Sequence, residues 1–274
     1  MSKIKEYTSL VPLALFDSDV DVINLSDNLC IRRTNHTELE SLIKRAVGFQ
    51  AALESVLFEL KYVIEKKMII DTTKPWFLPW KEDSVHVTDI VNALRLFKEG
   101  HVETPTAFLF DSENSVYGLS NETPSVRRFE DYYFLLQHEV ESFKALWFKV
   151  QNLASEKSTL KFPLFHYNRA FYRDTDEEVL LDYLIAFESL IFGGEKNSIE
   201  PAGKVIGIAI GMLLGTDKKQ RDKIKRTFVD AYKIRNAYVH GNLDKLTDYK
   251  EIISEVTFCI EDYLRNSLRR FVEE

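Results

Sequence analysis

Polar and apolar residues alternate through Val20-Asp21-Val22-Ile23-Asn24-Leu25, the two-residue period of a half-buried strand. Ser26-Asp27-Asn28 is turn chemistry, and Leu29-Cys30-Ile31-Arg32-Arg33 completes a hairpin. Residues 1–35 therefore read as short extended segments. Thr37 and Glu40 then stand at capping-box spacing. Behind them Leu39, Leu42, Ile43, Ala46, Val47, Leu53, Leu57 and Leu60 recur at helical spacing, predicting one helix to about residue 67. Two prolines, Pro75 and Pro79, break any regular helix across 74–80, so this segment is expected not to be helical. A helix over 88–98 ends at Gly100. Ala107-Phe108-Leu109-Phe110 and Val116-Tyr117-Gly118-Leu119 read as strands around 111–114.

From about residue 126 the pattern turns helical throughout. Phe129, Tyr132, Tyr133, Leu136, Val140, Phe143, Trp147, Val150 and Leu153 form one long apolar stripe. A short helical segment follows Pro163 and carries Arg169, Phe171 and Tyr172. Thr175 and Glu178 make a second capping box, for a helix that Gly193-Gly194 stops. Ser198 and Pro201 open the next helix, which ends at Gly215. Thr216 and Asp217 open a charged helix that closes at Gly241, and a last helix spans about 247–271. The expectation is α+β overall. A mixed α/β region at 1–125 precedes an all-α helical bundle at 126–274.

Composition narrows the field. The 274 residues are 45% hydrophobic and 29% charged, enough to bury a substantial core. A net charge of −7 excludes a uniformly basic nucleic-acid binder but leaves room for one basic face. Cys30 and Cys259 lack metal-site spacing and read as small buried hydrophobes. The apolar run 10–16 is short and soon followed by Asp17 and Asp19, unlike a signal peptide. The apolar stretch 205–215 is about half a membrane span. A cytoplasmic protein with no membrane partner is expected. His36, His86, His101, His138 and His166 show no metal-ligand spacing. No phosphate-binding glycine loop, Gly-x-Ser-x-Gly or His-Glu-x-x-His motif is present.

Chemistry concentrates in Arg235-Asn236-Ala237-Tyr238-Val239-His240, followed by Gly241. Arg grips phosphate oxygens through a planar fork at any working pH, and His has an ordinary pKa of about 6.5, suited to moving protons. A His before a Gly at a helix end also caps carbonyls, which is the plain structural reading. Five residues along a helix turn a side chain by about 140°. The two groups therefore do not share one face within a single chain. Glu188 lies among Phe187, Leu190 and Ile191, where a carboxylate is either at the helix edge or needs a partner.

Lys218, Lys219, Arg221, Lys223, Lys225, Arg226, Lys233 and Arg235 face only Asp217, Asp222 and Asp230 over 217–235, a local excess of five positive charges. Such a run is a solvated helix face or an RNA-binding surface. Of these, Lys218, Lys219, Arg221, Lys225, Arg226 and Lys233 are the RNA-binding candidates. Trp76, Phe77 and Trp80 read as a loop anchor or as a docking and base-stacking cluster.

Asn168-Arg169-Ala170-Phe171, Leu181-Asp182-Tyr183-Leu184-Ile185-Ala186-Phe187-Glu188-Ser189-Leu190, the glycine-rich helix 204–215 and the segment Ala231 to Gly241 together resemble the HEPN superfamily, in its Apea-like branch. That family's motif is Arg, four to six residues, then His, often with a polar residue after Arg. Here the gap is four and the polar residue is Asn236. The resemblance covers about 126–274.

It implies an all-α bundle that dimerises, with Arg and His of two copies facing each other. It further implies a metal-independent endoribonuclease, without cofactor, in a bacterial stress, toxin–antitoxin or anti-phage setting, with an antitoxin or defence-complex partner. Arg235 and His240 would be catalytic. Asn236 would orient the phosphate or the imidazole, and Glu188 would pair with Arg235. The products would carry a 2′,3′-cyclic phosphate and a 5′-OH. The alternative is an inactive HEPN module for dimerisation, nucleotide binding or signalling.

Overall fold

Ile4–Leu13 (β1) is polar and half-exposed at its start and wholly buried over its last five residues, so one end faces water and the other crosses the core. Phe16–Ser18 (β2) follows, then the hairpin Val22–Ser26 (β3) and Leu29–Arg33 (β4), as the alternation predicts. The computed structural model describes residues 4–45, 60–71, 77–111, 116–120, 132–155, 159–193 and 200–274. Their contacts divide the chain into two compact units, Met1–Gln151 and Asn152–Glu274, where the change of pattern suggested a division at 125/126.

In the first unit the remaining elements are His36–Arg45 (α1), Tyr62–Asp71 (β5), Phe77–Phe97 (α2), Thr106–Asp111 (β6), Val116–Ser120 (β7) and Tyr133–Leu135 (β8). An antiparallel sheet runs β3-β4-β5-β1-β6-β7, and β2 pairs in parallel with β8. Leu13 stands opposite Tyr62 and Val11 opposite Ile64, so the buried ends of β1 and β5 coincide. Phe16 sits edge-on to Tyr62 at 5.2 Å and stacks on Tyr133 at 5.7 Å.

The structure corrects four expectations. The helix expected to residue 67 spans only α1 among the described residues, and 62–71 is the strand β5. Long-range pairing with β1 on one side and β4 on the other overrides a local apolar rhythm. The cap of α1 is Asn35, whose Oδ1 accepts from the Glu38 N–H at 2.8 Å, rather than Thr37. Helix α2 begins at Phe77 and takes Pro79 into its first turn, where a missing N–H costs nothing. Trp76 lies outside the described residues; Phe77 and Trp80 belong to that first turn. The stretch from 126 is not all helix, because Tyr133–Leu135 is a strand; 126–131 lie outside the described residues.

Val140–Ser155 (α3) leads to the second unit: Lys161–Arg169 (α4), a single 3-10 turn Ala170–Tyr172, Asp176–Phe192 (α5), Ala202–Leu214 (α6), Lys218–Val239 (α7), Leu243–Thr247 (α8) and Ile253–Glu273 (α9). Here most of the termini fall where predicted; Pro201 precedes α6, and Ser198 lies outside the described residues. Thr175 Oγ1 accepts from Glu178 N–H at α5's start, the cap half of the expected box without the return bond from the Glu178 side chain, and Gly193, at φ 58°, closes its end. Asp217 caps α7 by accepting from Gln220 N–H. The last helix starts later than expected because the short α8 precedes it.

Phe187 of α5 meets Phe228 of α7 edge-on at 4.8 Å in the centre of the bundle, with Ile260, Leu264 and Leu268 of α9 buried. Glycines of α6 recur every fourth residue at 203, 207 and 211 and bring its backbone against α7. A Cβ at Gly207 would lie 3.0 Å from the Lys225 Cα. Cys30 and Cys259 are free thiols, each half-buried. Among the described residues no helix is long and apolar enough to cross a membrane.

Candidate functional site

Helix α7 ends by a backbone device that decides what His240 is free to do. Its C-cap is His240 (φ −89°, ψ 5°), and Gly241 enters the left-handed region at φ 64°. The Gly241 N–H then donates to the Tyr238 carbonyl at 3.0 Å and the Asn242 N–H to the Ala237 carbonyl at 2.9 Å, while the His240 N–H reaches the Asn236 carbonyl at 3.1 Å. This is the paired closure of a Schellman motif, and it satisfies the terminal carbonyls with main-chain donors. Asn242 Oδ1 goes on to accept from Lys245 N–H, capping α8. The imidazole of His240 is therefore not the cap. It is exposed, and among the described residues it makes no hydrogen bond or ion pair.

Arg235 is half-buried, and its Nη1 donates to Asn236 Oδ1 at 3.1 Å. The amide of Asn236 thus holds the Arg rather than the imidazole. Glu188 does not pair with Arg235 as the resemblance implied. Its Oε1 accepts from the Tyr232 hydroxyl at 2.9 Å. Tyr232 lies three residues before Arg235, so these two side chains follow one side of α7, with Glu188 reaching Tyr232 from α5. Burial pushes the Tyr232 hydroxyl pKa up, the Glu188 charge and hydrogen bond add to this, and the Arg235 charge opposes it. The Tyr232 ring fills the space over Gly203, where a Cβ would meet its Cδ2 at 2.7 Å.

The six RNA-binding candidates are not gathered around this end. Lys218, Lys219, Arg221 and Arg226 are exposed and Lys225 is half-buried, all in the first half of α7. At 1.5 Å per residue, Arg226 stands about 14 Å and Lys218 about 26 Å along the axis from Arg235. Lys233 is near in sequence but projects about 200° from Arg235, and it pairs with Asp230 at 2.8 Å. Arg221 turns back to the Gly215 carbonyl and Arg226 to the Asp222 carbonyl. The run is a basic flank leading toward the motif rather than a wall around it.

A second polar constellation went unread in the sequence. Asp182 of α5 is 1% exposed and accepts from His166 Nδ1 at 2.8 Å, Arg169 Nε at 3.2 Å and Arg173 Nε at 2.7 Å. The Asp182 hydrogen bond holds the Arg173 pKa above its ordinary value, with burial opposing it. The argument that singled out Glu188, a carboxylate on an apolar helix needing a partner, applies with more force to Asp182 between Leu181 and Tyr183. Its partners lie on α4 and just beyond the turn that follows it, so the cluster ties α4 to α5.

Among the described residues no group of three or more His, Cys, Asp or Glu side chains is arranged to hold a metal ion. No protein-family model, curated protein or solved structure matches this chain.

Proposed function

We propose that the C-terminal unit is a HEPN-type domain that cleaves RNA without a metal ion, as a homodimer whose sites combine Arg235 of one copy with His240 of the other. The observation that carries this reading is the closure of α7. Main-chain donors take the Asn236, Ala237 and Tyr238 carbonyls, leaving an exposed and unengaged imidazole five residues beyond a cation held by its own neighbour. RNA supplies its own nucleophile in the 2′-OH next to each phosphate. His240 would take that proton or return one to the departing 5′-oxygen, a contribution of roughly 10²–10⁴-fold. Arg235 would hold the phosphate and stabilise the charge that grows on it. The angle of about 140° between the two side chains favours a site shared between copies. A stress or defence role follows from the same reading.

Purified protein incubated with mixed RNA and a chelator should give fragments ending in 2′,3′-cyclic phosphate and 5′-OH. Arg235→Ala and His240→Ala should each abolish cleavage. Mixing the two variants should restore part of it, because one composite site per mixed dimer stays intact. A requirement for divalent metal, or equal activity in all three proteins, would sink the assignment.

The second reading, a non-catalytic HEPN module, is favoured by one observation: the Arg235 guanidinium already spends a donor on Asn236. Folded dimers that bind RNA without cutting it would select that reading.

A further inference from the structure

At the opposite end of α7 from His240, the helices α6, α7 and α9 enclose a cleft of about 350 Å³. Lys223 of α7 stands on one wall and Arg270 of α9 on the other. The Lys223 ammonium is exposed and has no hydrogen-bond or ion-pair partner among the described residues. Lys61, Lys98, Lys144, Lys204 and Lys233 each meet a carboxylate, whereas Lys223 shares its unpaired state with Lys218, Lys219 and Lys225 of α7 and differs from them in lining the cleft. Arg270 is held in place by donating one Nη1 hydrogen to the Leu213 carbonyl at the end of α6, and its other donors are unspent. The one carboxylate of the lining, Asp262, is compensated by Arg265 and by the Asn266 amide. The cleft therefore presents two positive charges, the Arg270 one anchored by Leu213, beside a carboxylate that is already engaged by Arg265 and Asn266. Leu214, Ile224 and the Tyr263 ring supply its apolar part, and Gln220 adds a further polar group to the lining.

We infer that this cleft binds a phosphomonoester, its dianionic phosphate bridging Lys223 and Arg270 and its organic part lying on Leu214, Ile224 and Tyr263. Two cations from facing walls match a double negative charge, where a carboxylate would need only one. The volume exceeds what a bare phosphate fills, so the ligand carries an apolar or planar body. Lys219 and Arg226 on the same exposed side of α7 deepen the positive field around the entrance. The source of the phosphate is either a free small ester or the phosphorylated end of a nucleic acid. The site stands about 25 Å along α7 from His240, and it does not depend on that residue's chemistry.

Calorimetric titration of the full chain decides the matter. The probes are inorganic phosphate, phenyl phosphate, and a 2′-O-methylated oligonucleotide with either a 5′-phosphate or a 5′-hydroxyl. Phenyl phosphate should bind more tightly than inorganic phosphate. Lys223→Gln and Arg270→Gln should each weaken it about tenfold or more, with Lys219→Gln nearly unchanged. A gain specific to the 5′-phosphorylated oligonucleotide assigns the source to a nucleic-acid end; phenyl phosphate binding with no such gain assigns it to a free ester. Absence of phenyl phosphate binding at millimolar concentration overturns the inference. So does an equal loss in Lys219→Gln and Lys223→Gln, which would mark diffuse attraction rather than a site.

Discussion

Replacing the α6 glycines one at a time by alanine should produce a graded loss of stability that follows the distances at each position. At Gly207 the new Cβ would lie 3.0 Å from the Lys225 Cα, 3.1 Å from the Phe228 Cβ and 3.2 Å from the Lys225 carbonyl oxygen. Carbon atoms prefer roughly 3.5–4.0 Å, and two of these neighbours are backbone, so α6 and α7 must move apart. Overpacking of this kind costs about 1–3 kcal/mol. Alanine in a helix interior returns about 0.5–1 kcal/mol, leaving a net loss near 1–2 kcal/mol.

At Gly211 the nearest atom is the Arg221 carbonyl oxygen at 3.3 Å, and the next is at 3.5 Å. There the propensity gain offsets the crowding, and the change should stay within about 0.5 kcal/mol. Gly203 is the most crowded, at 2.7 Å from the Tyr232 ring. Its loss includes the Tyr232–Glu188 hydrogen bond, because that ring has to swing aside. For a unit of about 120 residues, 1 kcal/mol corresponds to roughly 4 °C in Tm. Thermal unfolding followed by far-ultraviolet circular dichroism should show Gly207→Ala melting about 4–8 °C below wild type and Gly211→Ala within about 2 °C. If Gly207→Ala melts at or above Gly211→Ala, the close approach of the two backbones is not what holds α6 in place.

Three further outcomes are expected. Asp182→Ala should cost roughly 3 kcal/mol, read as a Tm drop near 12 °C, because it strands a buried His166 and two guanidinium groups; partial exposure of Arg169 and Arg173 keeps the loss below that of a fully buried triad. His240→Ala should leave Tm within about 2 °C of wild type, since the imidazole supports no contact; a larger fall would show that it braces the α7 terminus. Burial pushes the Asp89 carboxyl up to about 7, so the folded state binds a proton that the unfolded state releases near pH 4. Its contribution is complete below pH 4 and is lost as pH rises toward 7. Urea midpoints should therefore fall less from pH 5 to pH 8 in Asp89→Asn than in wild type, and identical slopes would refute the assignment.

What could be read in the sequence was mostly what is local. Thr175, Asp217, Gly193 and Gly241 mark helix ends because caps and left-handed turns act within three or four residues. The hairpin β3–β4 was legible for the same reason. Strand β5 was not, because its partner β1 ends at Leu13, far back along the chain from Tyr62, and nothing in 62–67 announces that pairing. Strand β8 pairs with a segment 117 residues away. At the candidate site, residue identity was legible and connection was not. Arg235 and Asn236 stood out together, but the role of Tyr232 as the Glu188 partner depends on α5 and α7 lying side by side. His166 and Arg173 acquire meaning only once Asp182 is seen to be buried.

The main-chain closure at Gly241 has a consequence for how position 240 can change. Because the fold asks nothing of that side chain, the position behaves as an interchangeable socket at the tip of a rigid rod. Other proton-carrying or reactive side chains can be seated there without renegotiating the scaffold beneath. Loss of chemistry at this position, in nature or in the laboratory, should leave behind an intact and still folded domain.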